Sequence, residues 1–487
     1  MDVEQLKRDL RDGTIDGARL IELIAMQQRQ LERFQRRIEE LEKKLSGKPM
    51  PRLDESYSLD AEEKRRAKKA GQDKRKKAKP GRKGCISSEE KLKLAVRIEE
   101  VYPDRIDPEQ CTLSHKSPVW RFENGTAVLV AYHVYRGGRN QFGKISGRLG
   151  RSEFGIEIII AIAYQVFILG LSFDKVCALM KFFTNLKLSK GQADSLMNQL
   201  ARHWESEFDT LCTLLANSAV VHADETGWSI NSVWAFLSES ARVLFFGVQK
   251  DGETLKTILN PETFAGVIVS DDAAVYANFT KAQKCWAHLI RKAIKRKLQD
   301  PENRQYQTFA ESLLTIYHKA CRIKRDGRFS DAGRAGRVTE LDDELVQLCG
   351  PRWFDDSPAA DDLEDDYRRL VNEVMRLMVR QELFVFVRES AVDGTNNEAE
   401  RTLRGSSQAR KTGRTSKTLR GARRQSIVHS VLESLRIPLP EFTLGSVVAE
   451  VLRWSRVGRS CFFDLAQQQG LSPEPTSILD QVAPLPT

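Results

Sequence analysis

The segment from Asn217 to Asp272 places the tightest limit on what this chain folds into. SAVVHADET, SVWAFLSES and RVLFFGVQK are short runs rich in β-branched and aromatic residues, separated by polar turns, and they predict three meandering strands. ETLKTIL then predicts a short helix and GVIVSDD a further strand. Asp224 is expected at the end of the first strand and Asp271 at the end of the last. Acids at the ends of neighbouring buried strands are unfavourable unless they hold a cation or a proton. Strand alternation puts His222 and Asp224 on one face and Ala223 and Glu225 on the other. His222 thus lies near the acids, and a partly buried packing role is its simpler reading.

Three strands, a helix and a strand ending in an acid is the element order of an RNase H-like sheet. Residues 298–385 follow as long charged helices with Leu and Tyr spaced by three and four, which predicts a helical insertion. Beyond it, TNNEAERTLR begins a helix that offers a third acid. Thr395 and Glu398 have the T-x-x-E form of a capping box, which would occupy Glu398 with backbone. Glu400 is left free, or paired with Arg404 one turn on. Phosphoryl transfer on a nucleic acid needs hard, oxygen-bound divalent ions, two of them about 3.5–4 Å apart. Asp224, Asp271 and Glu400 are therefore the expected catalytic residues and the expected ligands of two Mg²⁺ (or Mn²⁺) ions.

Charge points to the same partner. The 487 residues carry 77 Lys and Arg against 67 Asp and Glu, a net +10, and much of the excess sits in Lys64–Lys83, Lys284–Lys297 and Arg401–Arg424. The acidic counterweight is Asp355–Asp366. Beside a phosphoryl-transfer site, Arg401, Arg404, Arg410, Lys411, Arg414 and Lys417 read as a track for DNA phosphates, and Lys74, Arg75, Lys76 and Lys77 as part of a basic arm. The eight cysteines are scattered without a C-x-x-C pair, which fits a reducing cytosol, with the DNA-bound protein at the nucleoid. The most apolar stretch, Ile156–Leu171, contains Glu157 and Gln165 and is shorter than the roughly 20 residues of a membrane span. It predicts a buried helix.

The whole chain reads as a multidomain α/β protein. Residues 1–46 are expected as a coiled coil, with Ile24, Leu31, Ile38 and Leu45 in one seam and Leu20, Gln27, Phe34 and Leu41 in the other, so that the chain self-associates. Residues 47–95 read as a flexible basic linker and 96–150 as a small β-containing module that includes TAVLVAYHVYRGG. Residues 151–215 read as helical and a possible DNA-binding region. There Ser189 is expected to cap a helix carrying Leu196, Leu200 and Trp204 on one face. Residues 216–297 would be the first part of the catalytic core and 386–445 its second part, with 446–487 a C-terminal tail.

HADETGW, GVIVSDDAAVY, KCWAHLIRK and TNNEAERTLRGSSQARKTGRTSK together resemble transposases of the insertion-sequence family numbered sixty-six, over roughly residues 150–440. The resemblance implies an RNase H-like fold, a helical insertion before the glutamate, catalytic acids at Asp224, Asp271 and Glu400, and accessory proteins encoded by the element. Two features depart from the family pattern. Its glycine after the second aspartate is Asp272 here, which brings Asp272 into contention with Asp271. Its cysteine-rich zinc module has only Cys85, Cys111, His115 and His133 as counterparts, a spacing too irregular for a zinc site. The C-x-x-H spacing of Cys285 and His288 has no second pair, and Trp286 and His288 read as packing beside the site. The resemblance implies cleavage of transposon ends and joining of the 3′-OH to target DNA. A nuclease that cuts without joining and a transposase-derived DNA binder share the expected fold and remain the alternatives.

Overall fold

The computed structural model describes residues 86–484 apart from 354, 356, 358, 360 and 473–476. The expected coiled coil, the basic run Lys64–Lys83 with Lys74, Arg75, Lys76 and Lys77, and Cys85 lie outside the described residues. Five strands form the central sheet: β5 (Val220–Gly227), β6 (Ser232–Leu237), β7 (Arg242–Val248), β8 (Val267–Ser270) and β9 (Ala282–Lys284), in the order β7-β6-β5-β8-β9. The meander β5–β6–β7 is antiparallel, whereas β8 and β9 run parallel to β5. The short helix α6 (Gly252–Ile258), capped by Asp251, makes the crossover from β7 to β8 that a parallel neighbour requires.

For the elements that frame this sheet, numbering follows the chain: α1 (Ser88–Lys93), β1 (Arg97–Val101), β2 (Thr112–Glu123), β3 (Thr126–Gly138), β4 (Gln141–Phe142), α2 (Ile156–Ala163), α3 (Phe173–Thr184), α4 (Lys190–His203) and α5 (Glu205–Ala216) precede β5. After β9 come α7 (Trp286–Gln299), α8 (Arg304–Arg325), α9 (Asp331–Cys349), α10 (Asp362–Val379), α11 (Val385–Arg388), α12 (Asn397–Lys411), α13 (Leu419–Ser434), α14 (Leu444–Val457), α15 (Cys461–Gln468) and α16 (Ile478–Val482).

Period-two alternation sorts the strand residues into separate cores. Val221, Ala223, Trp234, Phe236, Val243, Phe245 and Ile268 point into the largest core, shared with α2–α6 and α13–α16. Val233, Ala235, Leu237, Leu244 and Phe246 point the other way, onto Ala399 and Leu403 of α12. Val267 and Val269 face a third core built with α7–α11, so the helices between β9 and α12 bury their own apolar stripe. These helices occupy the stretch expected as an insertion.

The sheet edge at β7 is closed by a serine ladder. Ser426, Ser430 and Ser434 recur every four residues on one face of α13, all fully buried. Their hydroxyls accept from the backbone N–H of Phe246, Leu244 and Arg242, each at 2.9 Å. An unpaired strand edge is thereby hydrogen-bonded by side chains. Gly247, at φ +80°, lets α13 approach this edge, because a Cβ there would meet Ala422 Cβ at 2.8 Å. Ser430→Ala leaves the Leu244 N–H buried without a partner and is expected to cost about 1–3 kcal/mol. Urea unfolding measures it, and an unchanged midpoint would show that the ladder contributes nothing.

The N-terminal sheet has the order β1-β3-β2, with β1 parallel and β2 antiparallel to the long β3. Part of the stretch expected as linker is folded: Ser87 and Glu90 form a capping box on α1. Ile156–Ile168 is helical throughout, closing on a π turn from Tyr164. Ser189 caps α4 with Gln192, and Leu196, Leu200 and Trp204 are buried. No helix among the described residues is long and apolar enough to cross a membrane. Residues 446–487, expected as a tail, instead supply Val447, Val451, Trp454, Phe462, Ala466 and Leu479 to the largest core. Their helices are short and their polar residues many, so their apolar spacing is weak in the sequence alone.

Candidate active site

Asp224 lies within β5, three residues before its end, while Asp271 immediately follows β8. The parallel pairing stops at His222 opposite Val269, and two further residues along each chain bring Asp224 level with Asp271. Beyond that last pair β5 has lost β8 as a neighbour, which opens the sheet at Asp224. Asp224 accepts from the Glu225 N–H at 2.9 Å. Burial first, then the charges of Glu225 and Asp271, with a smaller contribution from Glu400, push its pKa up to about 7. Asp271 accepts from the Ala273 N–H at 3.0 Å, and Lys284 Nζ donates to the Asp271 carbonyl at 3.1 Å.

Glu225 and Asp272, the neighbouring acids, are engaged elsewhere. Glu225 accepts from the Tyr276 hydroxyl and pairs with Lys250 at 2.8 Å. Asp272 pairs with Arg376 of α10. Asp271, whose charge acts on Asp224, is therefore the better placed of the two adjacent aspartates. His222 is buried, with burial lowering its pKa; its Nε2 lies 4.0 Å from Asp393.

Glu400 sits on the first turn of α12, between Ala399 and Leu403, which dock on the sheet. Two contacts from Asn396 fix this end of the helix. Its Nδ2 donates to the Ala223 carbonyl at 2.7 Å, one residue before Asp224, and its N–H donates to Cys285 Sγ at 3.1 Å. The expected capping box does not form: the N-cap is Asn396 rather than Thr395, and no side chain caps the helix. Glu398 is nevertheless occupied, because its carboxylate takes Arg242 of β7 at 2.9 Å. Glu400 pairs not with Arg404 but with Arg291 of α7, at 2.7 Å, and lies 3.5 Å from His288 Nδ1.

Among the described residues, the one set of three metal-ligating side chains whose donor atoms all lie within 4.8 Å of one another is Cys285, His288 and Glu400. Asp224, Asp271 and Glu400 are electrostatic neighbours without being gathered that tightly. His288 is half-buried with its Nδ1 3.5 Å from Glu400, whereas Trp286 is fully buried and donates to the Leu383 carbonyl. Cys111, His115 and His133 form no such set.

Comparison with known protein families matches residues 151–424, more than half of the chain, to the transposase IS66 family. The chain belongs to that family. A search of curated proteins gives no match. The matched region runs from just ahead of α2 into α13, so it contains the central sheet, the helices after β9 and the Glu400 helix.

Around Glu400, Arg401, Arg404, Lys411, Arg414 and Lys417 are exposed on α12 and the turn after it. Arg410 differs: its guanidinium donates to the Gly227 carbonyl at 2.8 Å and ties α12 to the end of β5. Lys284, at the head of a basic run, is buried and holds Ser270 and Asp271, with burial lowering its pKa. Sequence reading missed Lys250 and Arg291 as partners of Glu225 and Glu400, and Asn396 as the residue that ties the Glu400 helix to β5. Only Asn396 left a signal there, as the first of two adjacent asparagines at the start of the helix.

Proposed function

We propose that this family member is a DDE transposase with an RNase H-like core, cleaving transposon ends and joining the freed 3′-OH to target DNA. One observation carries the reading: Asp224 on β5 and Asp271 immediately after the adjacent parallel strand β8 lie level by register, and the Glu400 helix docks beside them. The 3-2-1-4-5 strand order, with the first three strands antiparallel and the last two parallel to the first, supports the fold assignment. The elevated pKa of Asp224 fits a cation site, since crowded carboxylates in a partly dry setting keep a proton until a metal replaces it. Asp224, Asp271 and Glu400 would hold two Mg²⁺ or Mn²⁺ ions, all-oxygen ligands suited to hard cations. Bound there, the ions would supply nucleophile activation and charge stabilisation at the leaving oxygen.

The chain's own residues do the remaining work. Lys250 and Tyr276 keep Glu225 out of the metal set, Asn396 sets the position of Glu400 relative to Asp224, and Arg376 holds Asp272 aside. Exposed Arg401, Arg404, Lys411, Arg414 and Lys417 hold phosphates, and Arg410 keeps their helix on the sheet. Lys74, Arg75, Lys76 and Lys77 add sequence-independent affinity, and the coiled coil of residues 20–45 pairs two chains for two DNA ends.

In the first reaction, water attacks phosphorus at the transposon end and the 3′ oxygen leaves as a hydroxyl. In the second, that hydroxyl attacks a target phosphodiester, forming the joined strand and releasing a target 3′-OH. The test uses a labelled transposon end and a target plasmid in Mg²⁺. A joined product supports the reading, cleavage without joining identifies a nuclease, and DNA binding with neither identifies a binder.

A further inference from the structure

We propose that Cys285, His288 and Glu400 form a binding site for a thiophilic divalent cation such as Zn²⁺, distinct in chemistry from the all-carboxylate magnesium site. The donor set is the first argument. A thiol sulfur, an imidazole nitrogen and a carboxylate oxygen within 4.8 Å of one another match the ligands of zinc and cobalt, and sulfur and nitrogen are poor ligands for magnesium. Charge is the second: one thiolate and one carboxylate neutralise a divalent ion, with water left to complete a tetrahedron.

The surroundings are prepared for those ligands. His288 Nδ1 is shielded from solvent and makes no hydrogen bond, although it lies 3.5 Å from the Glu400 carboxylate. Cys285 is the N-cap of α7 and its sulfur already accepts the Asn396 N–H; burial pushes the thiol pKa up, so a bound cation takes the place of the proton. An N–H donor to sulfur is the kind of outer contact that orients a metal thiolate. Cys285 and His288 are a C-x-x-H pair separated by one turn of chain, and Glu400 reaches them from another helix. Arg291, whose side chain is 56% exposed, pairs with Glu400 and can turn to solvent when the ion binds.

The functional consequence rests on the catalytic role proposed for Glu400. The same carboxylate cannot serve both sites, so Zn²⁺ at Cys285 and His288 withdraws Glu400 from Asp224 and Asp271 and inhibits Mg²⁺-dependent cleavage. Binding itself does not depend on that role.

The test is titration of the full-length, chelator-treated protein with Co²⁺. The wild type is expected to show a sulfur-to-cobalt charge-transfer band and the visible spectrum of a four-coordinate ion, both removed by Zn²⁺. Cys285→Ser should abolish the band. His288→Ala and Glu400→Gln, at partly exposed positions where folding is safe, should each weaken Co²⁺ binding at least about tenfold. A band that survives Cys285→Ser, or affinity unchanged in His288→Ala, overturns the site. Cleavage assays on the same proteins separate the two proposals. Glu400→Gln that is inactive in Mg²⁺ but binds Co²⁺ like the wild type overturns the thiophilic site and leaves the catalytic reading standing. Glu400→Gln that cleaves normally but has lost Co²⁺ affinity does the reverse. Zn²⁺ that binds the wild type without inhibiting its cleavage overturns the competition.

Discussion

Asp224→Asn is expected to abolish DNA cleavage, by at least about a thousandfold, while leaving DNA affinity within a few-fold. The residues proposed to hold phosphates, Arg401, Arg404, Lys411, Arg414 and Lys417, make no hydrogen bond or ion pair with Asp224. The same substitution should change stability in a direction that a purely structural aspartate would not. In the unfolded chain Asp224 ionises near its ordinary pKa; in the folded protein it keeps its proton up to about 7. Between those two values the folded state binds more protons, so stability falls as pH rises through that window. Above pH 7 the metal-free protein carries an ionised carboxylate against burial and against Glu225, Asp271 and Glu400. Asp224→Asn removes that charge. In EDTA the variant should therefore melt higher than the wild type at pH 8, with the difference shrinking toward pH 5 as Asp224 becomes protonated.

Mg²⁺ should stabilise the wild type and have little effect on the variant. A cation relieves the repulsion only when the carboxylates are ionised, so it should stabilise the wild type at pH 8 far more than at pH 5. At a hundred times its dissociation constant the gain is about 2.7 kcal/mol, and Asp224→Asn should lose most of it. Thermal melts with and without Mg²⁺ at the two pH values provide the measurement. Equal Mg²⁺ shifts in wild type and variant would remove Asp224 from the metal site, and wild-type cleavage by the variant would remove it from the chemistry.

Sequence reading recovered what local pattern controls. The alternation in VVHADE set Ala223, which lies in the largest core, on the face opposite Asp224, and the acid at the end of GVIVSD fell at the end of β8. What it missed is set by partners distant in the chain. β9 is three residues, Ala-Gln-Lys, with no apolar alternation, and it holds because Gln283 bonds the Leu383 carbonyl and the Phe386 N–H across the sheet edge. Ser426, Ser430 and Ser434 look like polar interruptions of a helix until β7 is placed beside them. Thr395-x-x-Glu398 has the right spelling for a capping box, yet the helix begins one residue later. There tertiary contacts of Asn396 with β5 and Cys285 outweigh a local motif worth about 1 kcal/mol. The same limit applies to Glu400: its Arg404 neighbour was visible at helical spacing, and Arg291, 109 residues away, was not.

Glu400→Gln should stop both strand cleavage and joining, with a loss of at least about a thousandfold, whereas Glu398→Gln should retain most activity. The two residues are about 200° apart around α12, at about 100° per residue, and the structure gives each a different surrounding. Glu398 reaches Arg242 on the edge strand β7, an ion pair in which the two side chains are 47% and 28% exposed. Exposed pairs contribute about 0–1 kcal/mol, so its loss should leave helix position and melting temperature nearly unchanged. Glu400 lies on the side of α12 that faces α7, and it is the member of the pair whose charge acts on Asp224. Glutamine keeps its size and still accepts from Arg291, so the helix stays docked through Ala399, Leu403 and Asn396. A dead Glu400→Gln enzyme that melts like the wild type would therefore reflect lost metal ligation rather than a displaced helix. Both variants are to be compared on one labelled transposon end in Mg²⁺. If Glu398→Gln were dead and Glu400→Gln active, the catalytic glutamate would be Glu398, and α12 would have to rotate by half a turn in the DNA-bound enzyme to bring it to Asp224.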